Sequence, residues 1–173
     1  MKKVFQTIID TKRGNCMQAV VASLFDLPLE DVPNFIEISS TEDTNYFMVM
    51  RKFFAERGYN NLCCVNKTED KDTELLKKIA KFDGGVNGYL YASVPSQTFE
   101  NVFHSVVIDT DLNIVHDPNP NQLALNLKPE DVVDIQITKQ LIIGKTGKLF
   151  TEEEWDLITE EERSANICKP IFI

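Results

Sequence analysis

The hydrophobic periodicity of this chain changes at Asp83-Gly84-Gly85, and that change limits the folds open to it. Before that point apolar residues recur three and four apart, and after it they come in short continuous or alternating runs. The first pattern belongs to amphipathic helices and the second to strands. Upstream, Met17, Val20, Val21, Leu24 and Phe25 would share one face of a helix ended by Leu27-Pro28. Tyr46, Phe47, Met50, Phe53 and Phe54 would form the apolar side of a helix over about residues 45–57, with Gly58 as its C′ residue. Residues 73–80 make a third. Downstream, residues 88–94 and 102–108 read as strands, a turn follows over 109–113, and 114–117 is the return strand of a hairpin. Residues 132–137 and 141–143 are further β candidates. Helices first and an antiparallel sheet second predict an α+β domain, with the N-terminal helices packed on a central antiparallel sheet.

The smaller pieces fit between these. Residues 4–9 look extended, and residues 61–65 form a short strand in which Cys63 and Cys64 serve as small core hydrophobes. Residues 29–33 suggest one turn of helix, Pro33-Asn34-Phe35 a loop, and residues 39–43 a choice of caps for the helix that follows. The whole of 1–173 is expected to be a single domain in three parts: 1–83 mainly helical, 84–147 the antiparallel sheet, and 148–173 an acidic helical appendage. In the appendage Thr151 and Thr159 are each followed three residues later by glutamate, the capping-box spacing, and Trp155 is expected to pack against the domain.

Composition then excludes several classes of function. The formal net charge of −9 argues against a nucleic-acid surface, which needs Lys and Arg to neutralise phosphate. No apolar run is long enough to span a bilayer, and Gln6, Asp10, Lys12 and Arg13 interrupt the start too soon for a signal peptide. A cytoplasmic protein without a membrane partner is expected. The four cysteines, Cys16, Cys63, Cys64 and Cys168, form no Cys-x-x-Cys pair, so neither a structural metal nor a cofactor is expected.

The stretch that carries chemistry is Arg13-Gly14-Asn15-Cys16-Met17-Gln18-Ala19. Asn15 suits an N-cap, its side-chain oxygen accepting a backbone N–H one turn in, which puts Cys16 in the first helical turn. There the unpaired N–H groups and the helix dipole stabilise an anion and lower a thiol pKa. A thiolate nucleophile needs a base, and the chain has two histidines, His104 and His116, on consecutive strands of the predicted hairpin. Asp117, on the return strand, could be brought beside His104 by cross-strand pairing, and Asn119 is its rival for orienting that ring. His116 and Asp117 are neighbours on a strand and point to opposite faces, so His104 is the better base and His116 a structural or rim residue. An oxyanion would need donors, for which the Cys16 N–H and the Gln6 side chain are candidates and Gln18 a weaker one.

Gln6, Gly14-Asn15-Cys16 opening a helix, His104-Ser105-Val106-Val107 and Asp117-Pro118 follow one another in an order that resembles the papain-like cysteine peptidase superfamily, in particular its C39-like branch. The segments 14–35 and 104–120 also resemble a group of uncharacterised phage-encoded proteins. The resemblance implies a papain-like α+β fold with Cys16 as nucleophile, His104 as base, Asp117 orienting the base and Gln6 as oxyanion donor. It implies a cysteine-dependent hydrolase, a peptidase, amidase or deconjugating enzyme, acting on a protein or peptide substrate. For a phage-encoded chain that substrate would be a host protein, met in the host cytoplasm. Two other uses of the same scaffold stay open: acyl transfer, and a non-catalytic binding module that sequesters a host factor.

Overall fold

A computed structural model describes residues 1–41, 44–67 and 72–140, without the side chains of residues 61–63 and 139–140. Within them lie helices α1 (Cys16–Leu24), α2 (Phe35–Thr41), α3 (Tyr46–Ala55) and α4 (Thr73–Asp83). The strands are β1 (Tyr59–Asn66), β2 (Tyr89–Pro95), β3 (Phe103–Asp109), β4 (Ile114–His116) and β5 (Asp134–Gln140). They form one five-stranded sheet in the order β1-β5-β2-β3-β4, every pairing antiparallel. The protein is therefore α+β. β1, from the mainly helical half, pairs along its length with β5, so both halves of the chain build the same sheet. The β candidate at 141–143, the acidic segment 148–173, Trp155 and Cys168 lie outside the described residues.

Strand alternation gives the sheet two faces, and both are covered. Tyr91 and Val107 join Val20, Val21 and Leu24 of α1 and Met50, Phe53 and Phe54 of α3 in one apolar cluster. Leu90, Ala92, Val106 and Ile108 point the other way, into a cluster with Leu76 and Ala80 of α4. Burial on both faces explains why β2 and β3 read as continuous apolar runs rather than as polar–apolar alternation. Each fully buried Val or Leu in these clusters contributes roughly 1.5–3 kcal/mol, so α1 is held by its packing more than by its propensity.

The helix ends show their chemical reasons. The Asn45 side chain accepts the Phe47 N–H at 2.8 Å and so starts α3, whereas Ser39, Ser40 and Thr41, expected as caps for that helix, lie inside α2. The expected loop at Pro33-Asn34-Phe35 is shorter than anticipated, because Phe35 already opens α2 and is itself fully buried. Gly84 ends α4 in the left-handed region at φ 71°, its N–H on the Ala80 carbonyl at 2.9 Å. Cys64 is exposed and contacts the Asn66 amide oxygen at 3.4 Å, so it is not the core hydrophobe expected.

Candidate active site

Residues 4–9 join no strand, yet they are fastened at almost every step. The Val4 N–H donates to Ser23 Oγ at 3.0 Å, the Gln6 N–H to the Pro118 carbonyl at 2.9 Å, and the Thr7 and Ile8 N–H groups to Asn15 Oδ1 at 3.0 and 2.8 Å. Asn15 occupies the N-cap position of α1, but its side chain makes no cap bond. Its oxygen instead holds the incoming segment, and its amide donates to Thr7 Oγ1 and Gln18 Oε1. Asn15 is 2% exposed, and these bonds satisfy a polar side chain that would otherwise be costly to bury. Between these anchors the chain loops back on itself. Asp10 Oδ1 accepts the Lys12 and Arg13 N–H groups, and the Gly14 N–H reaches the Asp10 carbonyl at 3.1 Å. A Cβ at Gly14 would stand 2.4 Å from that carbonyl oxygen, so only glycine allows the approach.

This loop delivers Cys16 to the first turn of α1, facing the start of β3. Val107 of β3 pairs with His116 of β4, so the chain beyond His116 runs back alongside the start of β3. Asp117 Oδ1 meets His104 Nε2 at 2.7 Å, with the two side chains 1% and 12% exposed. Asp117 is itself fixed: Oδ1 also accepts the Asn119 N–H and Oδ2 the Ala124 N–H, each at 2.8 Å. The His104 ring lies beside the Cys16 thiol, close enough for each group to shift the pKa of the other. Ser105, the next residue, contacts the same sulfur through its Oγ at 3.6 Å and through its backbone N–H.

The charges follow from these contacts. Burial pushes the Cys16 thiol up, but the hydrogen bond and positive charge of His104, with the bonds from Ser105, outweigh it and bring the pKa below the ordinary thiol value. Burial pushes the His104 imidazole down, and the bonds to Asp117 and Cys16 overcome that, raising it to about 9. Burial likewise works to raise Asp117, and the bonds from His104, Ala124 and Asn119 bring it down. A thiol pulled down beside an imidazole pulled up is shifted toward a thiolate–imidazolium pair, with a carboxylate on the far side of the ring.

Gln6 is 6% exposed and lines the small cleft over Cys16 and His104, a space of about 40 Å³; its Oε1 is buried with no hydrogen-bond partner. The cleft continues past Phe99, Val102 and Phe103 into a wider groove of about 390 Å³ along the β2–β3 connection. A larger hollow of about 570 Å³ lies against α3 at Met48, Val49 and Phe53 and shares no residue with the cleft.

The structure thus brings Cys16, His104, Asp117 and Gln6 together and turns the rival residues elsewhere. Gln18 spends its amide on the Leu29 and Val32 carbonyls at 2.9 and 2.7 Å, facing away from the thiol. Asn119 reaches Thr98 Oγ1 at 3.3 Å and accepts the Asn121 N–H, so the ring of His104 is met by Asp117. His116 is fully buried, its Nε2 donating to the Val4 carbonyl at 2.8 Å and its ring edge-on to Phe5. Sequence reasoning missed Ser105 and Tyr91, whose hydroxyls are 2.5 Å apart beneath the thiol. Ser105 directly follows His104, and the β2–β3 register, which would have pointed to Tyr91, is legible only in the folded sheet.

Among the described residues no cluster of His, Cys, Asp and Glu could hold a metal ion, and no helix is long and apolar enough to cross a membrane. Compared with known proteins, the chain matches no family model, no curated protein and no solved structure.

Proposed function

We propose that this protein is a cysteine-dependent hydrolase of papain-like type, acting on an amide, ester or thioester bond of a protein or peptide. The observation that carries the reading is the contact chain Cys16–His104–Asp117, with the thiol pKa lowered and the imidazole raised to about 9. Such a pair holds a nucleophile and a proton donor ready in the same resting state.

The Cys16 thiolate attacks the carbonyl carbon, and the carbonyl π electrons move onto oxygen. The Cys16 N–H, at the start of α1, and the Gln6 amide are the donors for that oxyanion. The His104 imidazolium gives its proton to the leaving amine or alkoxide, the bond to that group breaks, and an acyl-thioester remains on Cys16. Neutral His104 then takes a proton from water. The resulting hydroxide adds to the thioester, and expulsion of the Cys16 thiolate restores the ion pair. Asp117 holds the ring in one orientation and stabilises its positive charge through both halves of the cycle. The chain is read as acting in the cytoplasm, a host cytoplasm if a phage encodes it.

The test is iodoacetamide alkylation of each cysteine across pH, followed by peptide mass spectrometry, in the native protein and in His104→Ala. The expected result is a Cys16 midpoint below that of an ordinary thiol, about 8.5, that moves up in the variant. A Cys16 that is inert, or indifferent to His104, removes the hydrolase reading. A peptide library then searches for an acyl adduct by intact mass, with Cys16→Ala as the blank.

A further inference from the structure

The geometry points to a second support for the Cys16 thiolate, separate from the histidine: a buried relay in which the Tyr91 hydroxyl donates to Ser105 Oγ and the Ser105 hydroxyl donates to the Cys16 sulfur. The inference rests on the reading of Cys16 as a thiolate nucleophile. Ser105 touches the reacting atom and is a catalytic residue in that sense, and Tyr91, which acts through it, is a positioning residue.

The direction of the relay follows from counting hydrogens. Tyr91 is 2% exposed and Ser105 is 5% exposed, so water does not satisfy them. The hydroxyls stand 2.5 Å apart, and the Ser105 oxygen lies 3.6 Å from the sulfur. A thiolate offers no hydrogen, so along this line it can only accept. If Ser105 donated to Tyr91 instead, the phenolic hydrogen would be buried without an acceptor, and the sulfur would face a lone pair. With Tyr91 donating, every hydrogen in the row has an acceptor and every step runs toward the negative charge. The backbone places the parts. Tyr91 of β2 pairs with Val107 of β3, and Ser105, two residues before Val107, shares its face of the sheet, the face that α1 covers. His104, one residue earlier, reaches the sulfur beside it. Burial holds the Tyr91 phenol well above its ordinary pKa, so it keeps the hydrogen that the relay needs.

The relay predicts that removing the Ser105 hydroxyl raises the Cys16 pKa while the His104–Asp117 pair stays in place. Cys16 alkylation would be followed against pH in the native protein, Ser105→Ala, Ser105→Thr, Tyr91→Phe and His104→Ala. Ser105→Ala should raise the midpoint by about 1–2 pH units, the size of one net hydrogen bond to a charged group. Tyr91→Phe should raise it less, because Ser105 keeps its hydroxyl but loses its orientation. Ser105→Thr, which retains a hydroxyl, should restore most of the native midpoint. Each variant is first checked for a native unfolding transition. If His104→Ala raises the midpoint and Ser105→Ala does not, the relay is wrong and the Cys16–His104 pair stands. If His104→Ala also leaves it unmoved, the nucleophile reading falls and takes the relay with it.

Discussion

Asn15 Oδ1 accepts the backbone N–H groups of both Thr7 and Ile8, and the Asn15 backbone N–H returns a bond to the Ile8 carbonyl at 3.2 Å. One side chain therefore clamps the segment carrying Gln6 to the first turn of the helix carrying Cys16. Asn15→Ala removes an acceptor from two N–H groups, and the variant should lose about 1–3 kcal/mol in urea unfolding. Its Cys16 alkylation midpoint should stay near the native value, because neither His104 nor Ser105 touches Asn15. Acyl-enzyme formation should slow as Gln6 loses its register, and a variant that unfolds normally yet acylates at the native rate would remove Gln6 from the oxyanion site.

Gly14→Ala should be worse than its position in an exposed loop suggests. The added carbon meets the backbone oxygen of Asp10 at 2.4 Å, and the flexible end of a side chain is not there to yield. A loss of about 2 kcal/mol or more is expected, read as a drop in thermal midpoint, whereas Lys12→Ala next door should change stability by less than about 0.5 kcal/mol.

The two histidines should separate cleanly by substitution. His104→Ala should raise the Cys16 alkylation midpoint. His116→Ala should leave that midpoint unchanged but cost about 2–4 kcal/mol in stability, because it empties a fully buried site and removes the shorter of the two bonds to the Val4 carbonyl, leaving that from Ser23 Oγ at 3.4 Å. Equal effects of both substitutions on the thiol would contradict the roles assigned from the geometry.

Their pH dependences should have opposite signs. The raised pKa of His104, about 9, by itself adds stability that is complete below its unfolded value near 6.5 and is lost as pH rises through 9, while the lowered Cys16 thiol, still protonated in the unfolded chain up to about 8.5, adds stability over the same window and offsets that loss. His116 is held below 6.5, chiefly by burial, so the unfolded chain binds its proton more readily and stability falls as pH drops below 6.5. Denaturant midpoints measured from pH 5 to 10 should decline toward acid and stay nearly level on the alkaline side, where the His104 and Cys16 contributions oppose each other. His116→Phe should lessen the acid decline. Hydrolysis, once a substrate is found, should follow a bell whose alkaline limb lies near 9.

Asp117→Asn keeps the size of the side chain but removes the charge that lifts His104. The His104 pKa should fall, the Cys16 midpoint should rise, and stability should drop by about 1.5–3 kcal/mol, since an amide cannot accept on both ends from His104, Asn119 and Ala124. Chemical-shift titration of the imidazole reads the first of these directly.

The class of fold was legible because the two periodicities are written in long stretches, and Leu24 or Ile108 has no choice but to be inside. The neighbourhood of His104 and Asp117 could be foreseen because a short hairpin turn leaves few registers for its strands. What could not be read were choices between two uses of one group. Asn15 could cap its own helix or accept from Thr7 and Ile8, and local sequence does not say which. Cys64 fits a buried strand by composition, but it lies on β1, at the edge of the sheet, and is exposed there. Phe35 reads as loop because Pro33-Asn34 is strong turn chemistry, and only the core that Phe35 enters makes it the start of a helix.

The bend at residues 117–119 carries two unrelated attachments. Asp117 hydrogen-bonds the His104 imidazole, and the very next carbonyl, that of Pro118, holds the Gln6 N–H. A shift of that bend would carry the partner of His104 and the anchor of Gln6 as a single piece, like two pointers on one spindle. Tolerance to change should therefore be asymmetric: a residue inserted between Glu100 and Asn101 falls in the groove wall, whereas one inserted after Pro118 throws both pointers off in the same stroke.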